Sequence, residues 1–245
     1  MLRASSPRVL SVRVRHPHTR RCRQLFLLRD PLLTKTASTL PDFSLEAEIA
    51  NGSQLLVAGV DEVGRGTLAG PVVAAAAILP GPIPTEYEGL INDSKLLSAA
   101  QRERAYAWLT EWCVSYAVGA CTAYEIDSIG IVPATRQAMG RAISELEPQP
   151  DHLLIDAVVL NAVDIPQTSV IRADSRSQSA AAASIIAKVT RDKLMANVFD
   201  SEYPGYGFAS HKGYGTELHM VALKQLGASP IHRRSFKPVM DVLKR

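Results

Sequence analysis

The sequence predicts an α/β protein: one β-sheet flanked by helices, followed by a C-terminal helical appendage. Three observations predict it. Apolar runs of strand length recur at residues 55–61, 71–79, 114–121, 152–156 and 169–174. Longer stretches with helical periodicity alternate with the later runs, at 99–112, 127–146 and 177–199. Residues 200–245 carry glycine- and proline-rich turns around one further helical pattern.

Taken in order, the first strand is Leu55-Leu56-Val57-Ala58-Gly59-Val60, closing on Asp61. Residues 64–70 begin and end with glycine and have the length of a hairpin turn; Val72, Val73 and Ile78 mark the second strand. Pro80-Gly81-Pro82-Ile83-Pro84 then punctuates the chain. Ser98 is a natural N-cap for the helix over 99–112. The third strand, 114–121, alternates. One long helix is expected over 127–146, where Pro133 is tolerable at a first turn. Strands four and five end on Asp156 and Asp174. Alanine-rich 177–199, with Ile185, Ile186, Val189, Leu194 and Met195, is the strongest helix, and a shorter one is expected over 216–225. Folding should begin near Leu55, after a linker at 35–41 and a short amphipathic piece, Phe43-Ser44-Leu45-Glu46. Three regions follow: a disordered Arg-rich extension and linker over 1–54, a sheet domain over 55–199 and an appendage over 200–245.

A chain of 245 residues can bury a sizeable core. No apolar run approaches the length that spans a bilayer. Cys22, Cys113 and Cys121 make neither a disulfide framework nor a metal-binding spacing, as in a reduced cytoplasmic protein. The net charge of +3 misleads when taken whole. Residues 1–29 hold eight arginines and no acid; without them, 19 Lys and Arg face 24 Asp and Glu, a body of −5. A nucleic-acid ligand must therefore be held by a local patch and metal ions. The segment 1–29 is open to three readings: a mitochondrial-type presequence, a basic arm touching nucleic acid, or a leader without function.

The chemistry concentrates where strands end. Asp61 with Glu62, Asp156, and Asp174 each close an apolar strand. One strand ending in Asp is unremarkable, because Asp is a common turn residue. Three in one domain suggest carboxylates gathered at one sheet edge, and buried carboxylates need a cation or a metal. Oxygen-only ligands suit Mg²⁺ or Mn²⁺ rather than Zn²⁺. Four carboxylates around two such ions suit in-line displacement at a phosphodiester. Arg65, between Gly64 and Gly66, adds a cation and exposed N–H groups suited to phosphate.

These residues carry a resemblance to bacterial ribonuclease HII. It rests on Val57-Ala58-Gly59-Val60-Asp61-Glu62-Val63-Gly64-Arg65-Gly66, Asn92-Asp93-Ser94-Lys95, Leu154-Ile155-Asp156, the Ala182–Asp192 segment, Lys212-Gly213-Tyr214-Gly215-Thr216 and Ser229-Pro230-Ile231-His232-Arg233-Arg234-Ser235-Phe236. The resemblance runs from about Leu55 to about Val239. It implies an RNase H-like mixed sheet and divalent-metal dependence. It also implies cleavage of RNA in RNA–DNA hybrids, with incision 5′ to single ribonucleotides embedded in duplex DNA. Asp61, Glu62, Asp156 and Asp174 would be the catalytic, metal-binding acids. Gly64-Arg65-Gly66 would sense the 2′-OH at the junction, mainly through backbone groups, and Tyr214 would stack on the adjoining sugar. Ser94 and Lys95 are expected as substrate contacts, with Lys188, Arg191 and the His232-Arg233-Arg234 tail as phosphate contacts. A monomer is expected, with a DNA sliding clamp as the candidate protein partner.

Bland competitors stand beside these assignments: Arg65 paired with the acids, Tyr214 at a core edge, Ser94 and Lys95 capping the next helix. The chain departs from the family pattern at Thr67, where proline is usual, at Ala157, where glycine is usual, and at Leu218, where an acid is common. Ala157 matters if a positive φ is required there. Two rival functions remain: a ribonuclease HIII-like hybrid nuclease, which would carry threonine at the position of Arg65, and a non-catalytic hybrid-binding protein.

Overall fold

Alternating small and branched residues build the sheet, and the sheet places everything else. The computed structural model describes residues 11–13 and 40–244. In chain order the elements are β1 (Ser11–Arg13), α1 (Ser44–Ala50), β2 (Val57–Val63), β3 (Val72–Ile78), α2 (Ala99–Trp112), β4 (Ser115–Cys121), α3 (Ala123–Ile129), α4 (Ile131–Ser144), β5 (His152–Asp156), β6 (Gln167–Val170), α5 (Gln178–Lys193), α6 (Asp200–Glu202), α7 (Phe208–His211), α8 (Glu217–Leu226) and α9 (Lys237–Leu243). The sheet order is β1-β4-β3-β2-β5-β6. The pairs β1–β4, β4–β3 and β3–β2 are antiparallel, whereas β5 pairs parallel with both β2 and β6. The sheet is therefore mixed, as the sequence predicts.

Period two divides the core into two layers. Val73, Ala75 and Ala77 of β3 face α2 and α5, where Leu109 and Ile185 are fully buried. Val72, Ala74, Ala76 and Ile78 face α4, with Met139 and Ile143. Each such large side chain contributes roughly 1.5–3 kcal/mol. The alanines of β3 let helices approach both faces closely. Closest of all is β2: a Cβ on Gly59 would lie 2.1 Å from the Ser179 carbonyl carbon. That contact seats the start of α5 on β2, and hence beside Asp61, two residues further along the same face.

Local sequence signals hold well where capping is strong. Helix α2 runs from Ala99 to Trp112 as expected, and Ser98 makes a reciprocal capping box with Gln101. The long helix expected over 127–146 is instead two helices. A second capping box, Thr122 with Glu125, starts α3 early, and Gly130 at φ 84 breaks the chain before α4. The fifth strand ends at Val170 rather than Asp174, because Arg172 turns left-handed at φ 56. Asp174 therefore sits on a 3₁₀ turn, Ala173–Ser175. Helix α5 continues as a π-helical segment, Leu194–Phe199.

The folded body also begins earlier than Leu55. Helix α1 buries Glu46, whose Oε1 accepts from Ser177 Oγ (2.5 Å), Ser179 N–H (2.8 Å) and Ser179 Oγ (2.6 Å) at the start of α5. An acid at a helix N-terminus is favourable. Residues 11–13 of the Arg-rich segment pair with β4; the rest of that segment, with Cys22, lies outside the described residues. Among the described residues no helix is long and apolar enough to cross a membrane.

Candidate active site

Asp61 and Glu62 sit near the end of β2, and Asp156 is the last residue of β5, the parallel neighbour of β2. Asp174, on its turn just before α5, joins them from the side. Asp61 is buried, and burial, then the charge of Glu62, pushes its carboxyl well above the usual range; Ser184 on α5 hydrogen-bonds it and opposes that shift. Burial also raises Glu62, helped by Asp156, and raises Asp174, helped by Asp93 and Asp156. The four acids thus share one field although they come from two strands and a turn.

Each acid leans on a partner. Arg65 Nη1 lies 3.0 Å from Glu62 Oε1, Lys95 Nζ lies 3.3 Å from Asp174 Oδ2, and Asp156 Oδ1 accepts from the Ala173 N–H at 3.1 Å. Burial lowers the Lys95 ammonium, but Asp174 and Asp93 outweigh it and leave it raised. The Arg65 and Lys95 side chains are 48% and 77% exposed, so these ion pairs are worth about 0.2–1 kcal/mol and yield readily to a ligand.

Among the described residues no three acidic, His or Cys side chains converge into a preformed metal cage. The donor set nevertheless fits a hard divalent cation. Glu62 Oε2 is buried without a hydrogen-bond partner, and burial raises the carboxyls of Asp61 and Asp174 beside it. A cation bound to such oxygens would remove that penalty.

Gly64, Arg65 and Gly66 form the turn after β2, and two observations separate its glycines. Gly64 has φ 88, and a Cβ on it would lie 2.2 Å from Arg191 Nε, so the fold itself demands glycine. Gly66 has no positive φ and nothing within 4 Å of its would-be Cβ. Its open face is the solvent face of the loop. Tyr214 is 40% exposed ahead of α8, with Lys188 Nζ 5.7 Å from its ring centroid. The Leu68 N–H donates to the Gly213 carbonyl at 2.8 Å, which sets the Tyr214 segment beside the glycine loop.

Several residues expected as substrate or phosphate contacts have partners within the protein. Ser94 is buried, and its hydroxyl pairs at 2.9 Å with that of Ser184, the residue that hydrogen-bonds Asp61. Lys95 pairs with Asp174 at 3.3 Å but stays exposed, and Lys188 pairs with Asp192 at 2.9 Å. Arg191 and Arg233, expected on phosphate, are fully buried and bind loop carbonyls. His232 is buried against His219, the two Nε2 atoms 3.0 Å apart. Of the basic tail, Arg234 is exposed, and its backbone N–H donates to Asp127. Ser184, which hydrogen-bonds Asp61, and His219, which pairs with His232, are site neighbours that the sequence does not single out. The available signal was a polar residue on the otherwise apolar face of a helix.

Two departures from the family pattern also resolve. Thr67 is buried; its hydroxyl donates to the Gly64 carbonyl at 3.0 Å and accepts from Arg191 Nη2 at 2.9 Å, a link proline could not make. Ala157 sits at φ 49, so the positive φ is real and alanine bears it.

The fold, with carboxylates gathered at one sheet end beside a glycine turn, defines a hydrolase of the ribonuclease H class. Residues 58–239 match the family model described as Ribonuclease HII. A Ribonuclease HII from Chloroflexus aggregans is 51% identical over 206 residues, covering 83% of this chain and 96% of that protein. The crystal structure of ribonuclease H2 from Pyrococcus horikoshii aligns with TM-score 0.63 and 28% identity over 77% of this chain and 97% of that one. The RNase HII of Archaeoglobus fulgidus, solved in complex with PCNA, aligns with TM-score 0.62 over 75% and 96%; at 23% identity that likeness speaks for the fold. The chain belongs to the ribonuclease HII family.

Proposed function

We propose that this protein is an endoribonuclease that cleaves RNA in RNA–DNA hybrids and incises 5′ to single ribonucleotides in duplex DNA. Family membership supports the hybrid substrate. The observation that carries the chemistry is the bare, buried Glu62 Oε2 among carboxylates that burial makes hard to ionise. Asp61, Glu62, Asp156 and Asp174 would hold Mg²⁺ or Mn²⁺. When bound, two such ions supply Lewis acidity and neutralise charge on the phosphate and the leaving oxygen.

The chain's own residues do the rest. The acids orient the water that attacks phosphorus, the bond to the 3′ oxygen breaks, and the products are a 5′-phosphate and a 3′-hydroxyl. The Gly64–Gly66 turn meets the ribose, whose 2′-OH is what distinguishes RNA from DNA at a site. The open face of Gly66 suits close approach of a sugar-phosphate backbone. Arg65 exchanges its weak pairing with Glu62 for the substrate, and Tyr214 offers a stacking platform. A DNA sliding clamp is the protein partner we expect, as for the Archaeoglobus protein described with PCNA.

The test uses a labelled duplex with one ribonucleotide and a full hybrid, with Mg²⁺ or Mn²⁺ and then with EDTA. Cleavage of both should need the ion, and Asp61→Asn should abolish it while hybrid binding persists. An Asp61→Asn protein that cut either duplex at the wild-type rate would overturn the assignment.

A further inference from the structure

We propose that Arg233 and Arg191 are positioning residues for ribose recognition: their guanidiniums draw the carbonyls of the 64–71 loop inward and so aim the N–H groups of Arg65 and Gly66 at the substrate. The inference rests on the reading of that loop given above.

Both arginines are fully buried, and among the described residues neither forms an ion pair with a carboxylate. Arg233 Nη2 donates to Gly64 O at 2.5 Å, Nη1 to Arg65 O at 2.7 Å, and Nε and Nη2 both to Gly70 O at 3.0 Å. Arg191 Nε donates to Pro71 O at 2.9 Å, and Nη2 to Thr67 Oγ1 at 2.9 Å and Ala69 O at 3.1 Å. Its Nη1 reaches Lys212 O at 2.9 Å, tying the same loop to the segment that carries Tyr214. The planar fork of arginine is what lets one side chain hold several carbonyls at once.

Peptide geometry converts this into an aim. Across a planar trans peptide the C=O and N–H point in opposite directions. The Gly64 carbonyl shares its plane with the Arg65 N–H, and the Arg65 carbonyl with the Gly66 N–H. With both carbonyls turned in to Arg233, both N–H groups turn out. Arg65 and Gly66 are exposed, and among the described residues neither N–H has an acceptor. The arrangement is electrostatically costly: burial lowers Arg191 to about 10, and burial together with Arg191 lowers Arg233 to about 9. Two buried cations, unneutralised behind an outward pair of N–H donors, favour an electron-rich ligand at the loop face.

The test compares wild type with Arg233→Lys and Arg233→Gln on two substrates, the single-ribonucleotide duplex and the full RNA–DNA hybrid. A lysine keeps the charge but lacks the planar fork whose separate nitrogens hold the Gly64, Arg65 and Gly70 carbonyls. We expect the ratio of kcat/KM for the first substrate over the second to fall on the order of tenfold, the loss of about one oriented hydrogen bond, with no rescue by lysine. A merely structural role would lower both substrates in proportion, leaving the ratio unmoved, and that result in a folded variant overturns the inference. Wild type failing to incise the single-ribonucleotide duplex would instead refute the functional reading. Should the variants not fold, amide hydrogen exchange on the wild-type protein in EDTA decides. Arg65 and Gly66 amides should exchange fast in the free protein and be protected more by a ribonucleotide-containing duplex than by all-DNA duplex. Slow exchange in the free protein, or equal protection by the two duplexes, overturns it.

Discussion

The two glycines that flank Arg65 look alike in sequence and should behave oppositely when alanine replaces them. At Gly64 the penalty has two sources. The φ of 88 costs an L-residue about 1–2 kcal/mol. The added Cβ would stand 2.2 Å from Arg191 Nε and 2.8 Å from its Cδ, in a buried side chain held by four hydrogen bonds, and overpacking of that kind costs about 1–3 kcal/mol. The sum is about 2–5 kcal/mol, which for a chain of this size lowers Tm by roughly 4–20 °C. At Gly66 neither source exists, since φ is not positive and nothing lies within 4 Å. Gly66→Ala should stay within about 0.5 kcal/mol of wild type. Its cost should fall on the substrate, with KM for the single-ribonucleotide duplex raised on the order of tenfold, because the new methyl group stands where a sugar-phosphate backbone would approach. Thermal unfolding followed by circular dichroism gives the first comparison and steady-state incision gives the second. Equal loss of Tm in the two variants would refute the packing argument. Full activity in a stable Gly66→Ala protein would refute the approach of substrate to that face.

Three further outcomes follow from single sites. Ala157→Gly relieves about 1–2 kcal/mol of left-handed strain at φ 49, offset by glycine's greater freedom in the unfolded chain; Tm should rise by up to about 4 °C, and a fall in Tm would contradict the strain. Tyr214→Ala should weaken duplex binding by about 10- to 100-fold, the usual worth of one stacked base or sugar platform, while Tyr214→Phe keeps it; a loss shared by both would point to the hydroxyl instead. His232 is held near a pKa of about 4 by burial and by His219, below its unfolded value of about 6.5. Between those values the unfolded chain takes up a proton that the folded one refuses. Stability is therefore complete above about pH 6.5 and falls by about 3 kcal/mol as pH drops to about 4. His232→Gln should flatten urea-unfolding stability against pH by about one proton relative to wild type, a comparison that cancels the opposite contribution of the acids; an unchanged slope would sink the assignment.

The histidines explain why that proton is refused. The Ser229 N–H donates to His232 Nδ1, so His232 Nε2 carries the proton that His219 Nε2 accepts, and His219 Nδ1–H is left to donate to the Tyr214 carbonyl. Each ring is neutral with its donor and acceptor both used. A second proton on either ring would set two N–H groups face to face. The support beneath Tyr214 is thus complete only when both rings are neutral.

By itself the sequence determined what is local. Asp61, Glu62 and Asp156 stand at their strand ends because apolar runs and turn residues mark those ends directly. Helix α2 has the expected bounds because Ser98 and Gln101 cap it within four residues. The place of the Gly64–Gly66 turn directly after β2 was legible for the same reason. Tertiary structure decided the rest. Asp174 reaches the acids from a 3₁₀ turn, because Arg172 leaves the strand in a conformation that no apolar pattern encodes. Arg191, Arg233 and His232 looked like a basic surface for phosphate, yet they are the buried frame behind the loop. Their partners, Pro71, Gly64 and His219, lie 120, 169 and 13 residues away, and a charge pattern cannot tell a solvated arginine from one that carbonyls have desolvated. Burial and hydrogen-bond partners exist only once the sheet, α5 and the C-terminal segment have met, and they alone turn the same side chains from a ligand-facing patch into structure.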